Sequence, residues 1–169
     1  EKSFQNSFEA ASGSLSLEGS KSLTGATLTD GMFEFHLSGD AEKTVKNAGT
    51  KVDFGTIASW TGNNNKEFTF EVSEVNDGKA GYTYDGKTYK VKVKATYSAE
   101  TNTYSYTLEK GTTEGVTISG GKISLPEKSF QNSFEAASGS LSLEGSKSLT
   151  GATLTDGMFE FHLSGDAEK

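Results

Sequence analysis

Residues Glu1 to Lys43 return letter for letter at Glu127 to Lys169, an offset of 126 residues. Chance does not produce such an identity. The offset is far longer than the roughly 20 to 50 residues of a solenoid or propeller unit, so each period must be a whole domain. The chain then reads as a window cut from a tandem array, holding one period and part of the next. The expected division is 1–9 as the terminal strand of a preceding repeat, 10–136 as the complete domain, and 137–169 as the first strands of the following repeat.

Within the unshared part, Thr44 to Pro126, turn signals recur at Gly62-Asn63-Asn64-Asn65, Asn76-Asp77-Gly78, Asp85-Gly86, Glu100-Thr101-Asn102 and Ser119-Gly120-Gly121. Between them lie short alternating runs, the clearest being FTFEVSEV from Phe68, TYKVKVKATY from Thr88 and TYSYTL from Thr103. Apolar residues at every second position are the mark of a half-buried strand, and no stretch sustains a helical period. Abundant glycine, a single proline and aromatics at 11% agree with a β-rich chain. The expected fold is all-β: an antiparallel, Ig-like Greek-key β-sandwich of roughly seven to nine strands.

Alternation also assigns each side chain to a face, and three polar residues fall on the apolar one. In LSLEGSKSL the inward parity carries Leu15, Leu17, Gly19, Lys21 and Leu23. In FTFEVSEV it carries Phe68, Phe70, Val72 and then Glu74, and in KSFQNSF it carries Phe130, Asn132 and Phe134. Lys90, Lys92 and Lys94, by contrast, alternate out of phase with their apolar neighbours, as solvent-facing lysines should. An unpaired charge in an apolar interior is costly enough that the group neutralises instead, a lysine by a lowered pKa and a glutamate by a raised one. Buried singly, each of the three would be a defect.

Buried together they are the reactants of an amide-forming reaction. A desolvated Lys21 is a neutral, nucleophilic amine. A protonated Glu74 could bond to the Asn132 carboxamide, polarise its carbonyl and carry protons from amine to leaving group. The products would be a Lys-Asn isopeptide bond and one ammonia, formed once, with proximity supplied by the fold and no cofactor. The chain has no cysteine, so disulfides, thiolate metal sites and cysteine nucleophiles are excluded, and such a bond would do a disulfide's work.

Over Leu15 to Ala136 the sequence resembles the isopeptide-linkage domains of Gram-positive pilins and fibrillar adhesins, including streptococcal major-pilin-type repeats. The resemblance rests on KSLTGATLTDGMFEFHL at Lys21, FTFEVSEV at Phe68, GYTYDGKTYKVKV at Gly81 and SFQNSF at Ser129. It implies that Lys21 bonds to Asn132 with assistance from Glu74. It also implies an extracellular, cell-wall-anchored fibre on a bacterial surface. Serine and phenylalanine stand where the family has Thr-Tyr after the asparagine, and Leu125-Pro126 keeps only the first two letters of a sorting signal.

The remaining features read more plainly. A net charge of −7 with dispersed lysines argues against a nucleic-acid partner. No apolar run approaches the roughly 18 to 20 residues of a membrane span, and no charged-then-apolar leader opens the chain, so a soluble, already processed segment is expected. Asp77 and Asp85 lack the carboxylate density of a calcium loop, and no metal is expected. His36 and its copy His162 fall on a solvent face, Glu71 faces outward as a fallback carboxylate, and Trp60 and the tyrosines read as packing residues.

Two functions follow: a structural stalk repeat, with adjacent identical repeats as partners, or a binding module for a host protein or glycan. A conventional turnover enzyme is the weakest reading, because the expected chemistry consumes its own side chains. The duplication adds an ambiguity. Asn6 and Lys147 are second copies of the crosslinking positions, but there is one Glu74. The uninterrupted pairing, Lys21 with Asn132, is expected to form, leaving the flanking pieces to fray or to be covered head-to-tail by other chains. Asn6 with Lys147 would be a circular permutation of the same sandwich.

Overall fold

The computed structural model describes residues 4–166. Eleven strands run in chain order: β1 (Ala11–Thr24), β2 (Glu34–Gly39), β3 (Lys43–Lys46), β4 (Lys51–Gly62), β5 (Lys66–Glu74), β6 (Tyr82–Thr83), β7 (Thr88–Ser98), β8 (Thr103–Leu108), β9 (Thr117–Ser119), β10 (Lys122–Ser124) and β11 (Phe130–Phe134). No helix forms among the described residues. The count exceeds the expectation because β3, β6, β9 and β10 are pieces of two to four residues, too short to register as alternation.

The strands form two sheets. One has the order β3-β2-β5-β7-β8 and is antiparallel throughout. The other has the order β6-β11-β1-β10-β9, with β4 also on β1. The all-β sandwich is therefore the observed fold, with a refinement: β1 pairs parallel with both β10 and β11. Parallel pairing needs a long crossover, and here the crossover is the rest of the domain, since β1 is the first strand and β11 the last.

β1 organises its sheet. Its alternation buries Ala11, Gly13, Leu15, Leu17 and Lys21 and leaves Ser12, Ser14, Ser16, Glu18 and Ser20 on the opposite, more accessible face. On one side it carries β4 over nearly its full length, with register shifts at Leu15/Ser16 and Leu17/Glu18. On the other, β10 and β11 follow each other along the same edge, facing Ser16–Glu18 and Lys21–Thr24 respectively. The core between the sheets is built from Leu15, Leu17, Phe35, Leu37, Phe54, Phe70, Val72, Val91, Ile123 and Phe130, all essentially inaccessible to solvent. Each such side chain stabilises the fold by about 1.5 to 3 kcal/mol relative to exposure.

The chain divides into two compact units, Glu1–Ala137 and Ser138–Lys169. The second forms no strand among its described residues, and Leu141, Leu143 and Phe161 are exposed. Its sequence is identical to the stretch that makes β1 and β2 in the first unit, where the equivalent Leu15, Leu17 and Phe35 are buried. Strand formation here depends on partners rather than on local preference.

Candidate functional site

The chain leading into β11 is placed by hydrogen bonds to β1 and β7. Ser20 N–H donates to Ser129 Oγ (3.3 Å) and Ser129 N–H donates to Ser20 Oγ (3.1 Å), a reciprocal pair. Ser129 Oγ also donates to Pro126 O, and Tyr89 Oη donates to Ser129 O at 2.6 Å. These bonds set the register in which Lys21 lies opposite Phe130 and Asn132 opposite Leu23. Because side chains alternate with period two, Lys21, Phe130 and Asn132 all face the interior. Glu74 reaches them from the other sheet, at the end of β5, where it pairs with Phe35 of β2.

The three polar residues meet there. Lys21 and Asn132 are 1% and 4% exposed, and the Glu74 side chain is fully covered. Lys21 Nζ lies 2.8 Å from Glu74 Oε1 and 3.0 Å from Oε2. Asn132 Nδ2 donates to the same Oε1 at 2.8 Å. The Asn132 carbonyl oxygen faces elsewhere and accepts the backbone N–H of Asp85 at 2.8 Å. Glu74 thus bonds to the carboxamide through its nitrogen, and the backbone N–H of Asp85 holds its oxygen.

Aromatic rings wall the site. Lys21 Nζ lies 4.4 Å from the centre of the Phe33 ring, which packs nearly perpendicular to Tyr82 and Tyr84, and Phe130 packs on Phe35 and Tyr89. Tyr84 donates to Asp77. Its pKa is pushed up to about 12, first by burial and then by that carboxylate. Among these apolar surfaces burial is the largest influence on both ionisable partners. It lowers the Lys21 pKa against the opposing pull of Glu74, and it raises that of Glu74 against Lys21 and Asn132. Both shifts favour the neutral amine beside the protonated acid, the reactive pair.

In the sequence Asp85 marks a turn and carries no sign of a role at Asn132. The Asp85-Gly86 turn signal is real, since Asp85 Oδ1 accepts Lys87 N–H two residues on. That this turn would face Asn132 is a tertiary fact with no local signature. Asn6 is exposed in irregular chain, and Lys147 is exposed with its Nζ 4.5 Å from the Phe159 ring centre. Glu71 pairs with Lys90 on the outer face at 3.3 Å. Trp60 packs against Phe68 and Tyr104.

A buried amine and a buried carboxamide thus bond to one covered carboxyl group, which are the groups an amide-forming step would need. Residues 17–135 match the profile of the FctA family, described as the Spy0128-like isopeptide containing domain, and the chain belongs to that family. Similar solved structures include the C-terminal fragment of pilus adhesin SpaC from Lactobacillus rhamnosus GG, at 18% identity and TM-score 0.40, covering 75% of this chain and 47% of that one. Two others are major pilins of Streptococcus pyogenes. The T-13 protein has 17% identity, TM-score 0.40 and coverage of 76% and 55%; the second has 18% identity, TM-score 0.36 and coverage of 75% and 51%. The chain thus spans about half the length of these three. No curated protein sequence matches it.

Proposed function

We propose that the domain is a structural shaft repeat of a bacterial cell-surface fibre, sealed by an autocatalytic isopeptide bond between Lys21 and Asn132 with Glu74 as proton carrier. The observation that carries this reading is that buried Lys21, on the first strand, and buried Asn132, on the last, both bond to the covered Glu74 carboxyl group. The Lys21 amine attacks the Asn132 carboxamide carbon, and one ammonia leaves. No group outside the chain is needed. The reaction occurs once per domain and turns over no substrate.

The topology suits a shaft. The chain comes in at Ala11 and leaves after Phe134, beside the far end of β1, about 45 Å away for an extended strand of that length. Tension applied at the two ends would run along β1 to Lys21, cross the bond to Asn132 and leave through β11. The strands from β2 to β10 would lie outside that path and could not be pulled out. Membership in the FctA family and the verbatim tandem sequence support assembly from repeated copies of one unit.

The intact mass of the purified protein tests the reading. It should be lower than the sequence mass by one ammonia, and a tryptic map should yield a branched peptide joining Lys21 to Asn132. Full mass in the wild type, or loss of ammonia that persists in Lys21→Ala, would remove the proposal. A branch joining Lys147 to Asn6 instead would reassign the crosslinked copies.

A further inference from the structure

Given the Lys21–Asn132 crosslink proposed above, on which the assignment rests, we infer that Asp85 is a positioning residue for the reaction. Its backbone N–H receives the developing charge on the Asn132 carbonyl oxygen, and its carboxylate holds that N–H in place.

Asp85 grips β11 at two adjacent points. Its N–H donates to Asn132 Oδ1 at 2.8 Å, and its Oδ2 accepts the Gln131 backbone N–H at 2.9 Å. Oδ1 accepts Lys87 N–H at 3.1 Å, which closes the turn, and Lys87 Nζ reaches Oδ2 at 3.3 Å. The Asp85 side chain is only 8% exposed. A carboxamide has one acceptor end and one donor end. With the Asp85 N–H on one side, the oxygen must face it, and the nitrogen must face Glu74. Rotating the amide would set two donors against each other.

That orientation divides the chemistry between two residues. As the Lys21 amine adds to the Asn132 carbon, the carbonyl electron pair moves onto Oδ1, where a fixed N–H dipole stabilises it in a site closed to water. The proton released by the amine goes to Glu74, and the proton carried by Glu74 goes to Nδ2, 2.8 Å from Oε1. The bond between Cγ and Nδ2 then breaks, ammonia leaves, and the new amide joins Nζ to Cγ. Glu74 ends as it began, protonated. It serves the leaving group, and the oxyanion is served from Asp85.

The charged neighbours of Glu74 are Lys21 from β1 and Asp85 from the loop before β7, and the Asp85 carboxylate favours the protonated acid. A variant at Asp85 therefore has two separable signatures. The test follows ammonia loss by mass spectrometry in freshly translated full-length protein, across a range of pH. Asp85→Ala, which frees the turn, should crosslink about 10- to 100-fold more slowly. Its alkaline limb should also move to lower pH, since Glu74 loses its proton more easily. Asp85→Asn, whose oxygen can still accept from Gln131 N–H, should show the same shift of the limb with a smaller loss of rate. A folded Asp85→Ala protein reacting within about twofold of wild type overturns the assignment. If Asp85→Ala does not fold, Asp85→Asn decides: a wild-type rate with an unmoved limb overturns it. In either case wild-type ammonia loss leaves the Lys21–Asn132 bond standing, whereas no loss in the wild type would remove the bond itself.

Discussion

Lys21 and Asn132 point from the same face of two parallel strands onto one atom: Nζ of the first and Nδ2 of the second each lie 2.8 Å from Glu74 Oε1. The strands are the first and last of the domain, so a bond between these side chains would close a loop of about 110 residues. In the loop-entropy treatment developed for disulfides, that restricts the unfolded chain by on the order of 4 to 5 kcal/mol.

Asn132→Ala should therefore fold to the same sandwich and melt well below the wild type. For a domain of this size the lost constraint corresponds to a drop of roughly 10 to 20 °C. Calorimetry on the two proteins, with the mass of each checked, measures it. Equal melting temperatures, with ammonia lost only from the wild type, would show that the bond adds nothing to thermal stability.

Glu74→Gln keeps the size and hydrogen-bonding reach of the side chain but cannot carry a proton between amine and leaving group. The protein should fold, retain its full mass, and crosslink at least about 100-fold more slowly than wild type, the lower end of the range for loss of a general acid or base. A mass time course reads this directly. Normal crosslinking in this variant would show that desolvation of Lys21 and the orientation of Asn132 suffice without proton transfer by Glu74.

Lys21→Met should reveal the cost of burying Glu74. Burial already raises the Glu74 pKa above its ordinary 4.5 while Lys21 opposes the shift, and the variant removes that opposition. A folded-state pKa above the unfolded one stabilises the fold below the unfolded value, and the contribution is lost as pH rises through the folded value. Lys21→Met should thus be less stable at pH 7 than near pH 4.5, by about 1.4 kcal/mol for each unit by which the pKa is raised. Other carboxylates titrate over the same range, so Lys21→Met/Glu74→Gln is the reference. A pH-independent difference between the two would show that Glu74 is not desolvated.

The three polar residues at this site were legible in the sequence because strand parity is a local signal: Lys21, Glu74 and Asn132 each interrupt an apolar alternation, and each is buried. What parity could not supply was which strands adjoin. The parallel pairing of β1 with β11 and the docking of the Asp85 turn on Asn132 join residues 46 or more positions apart in the chain. Local patterning carries no trace of contacts so distant. The duplicated segment makes the same point from within one molecule. Leu15 and Leu141 begin identical runs, yet one is fully buried in a strand and the other wholly exposed in irregular chain.

Gly13→Ala offers a test of the sandwich at the end of β1 remote from Lys21. A Cβ at Gly13 would lie 2.4 Å from the Trp60 ring, a separation that carbon atoms do not tolerate. Trp60 cannot easily give way, because it packs on Phe68 at 4.9 Å and on Tyr104 and Tyr106 at 5.4 and 6.3 Å. The substitution should overpack this cluster and destabilise the domain by about 1 to 3 kcal/mol. Trp60 is the only tryptophan, so its fluorescence should report a changed environment in the folded variant. Lys21 and Asn132 lie further along the sheet, and ammonia loss should still go to completion. A shift in fluorescence together with incomplete crosslinking would show instead that packing at Trp60 and geometry at Lys21 are coupled through β1.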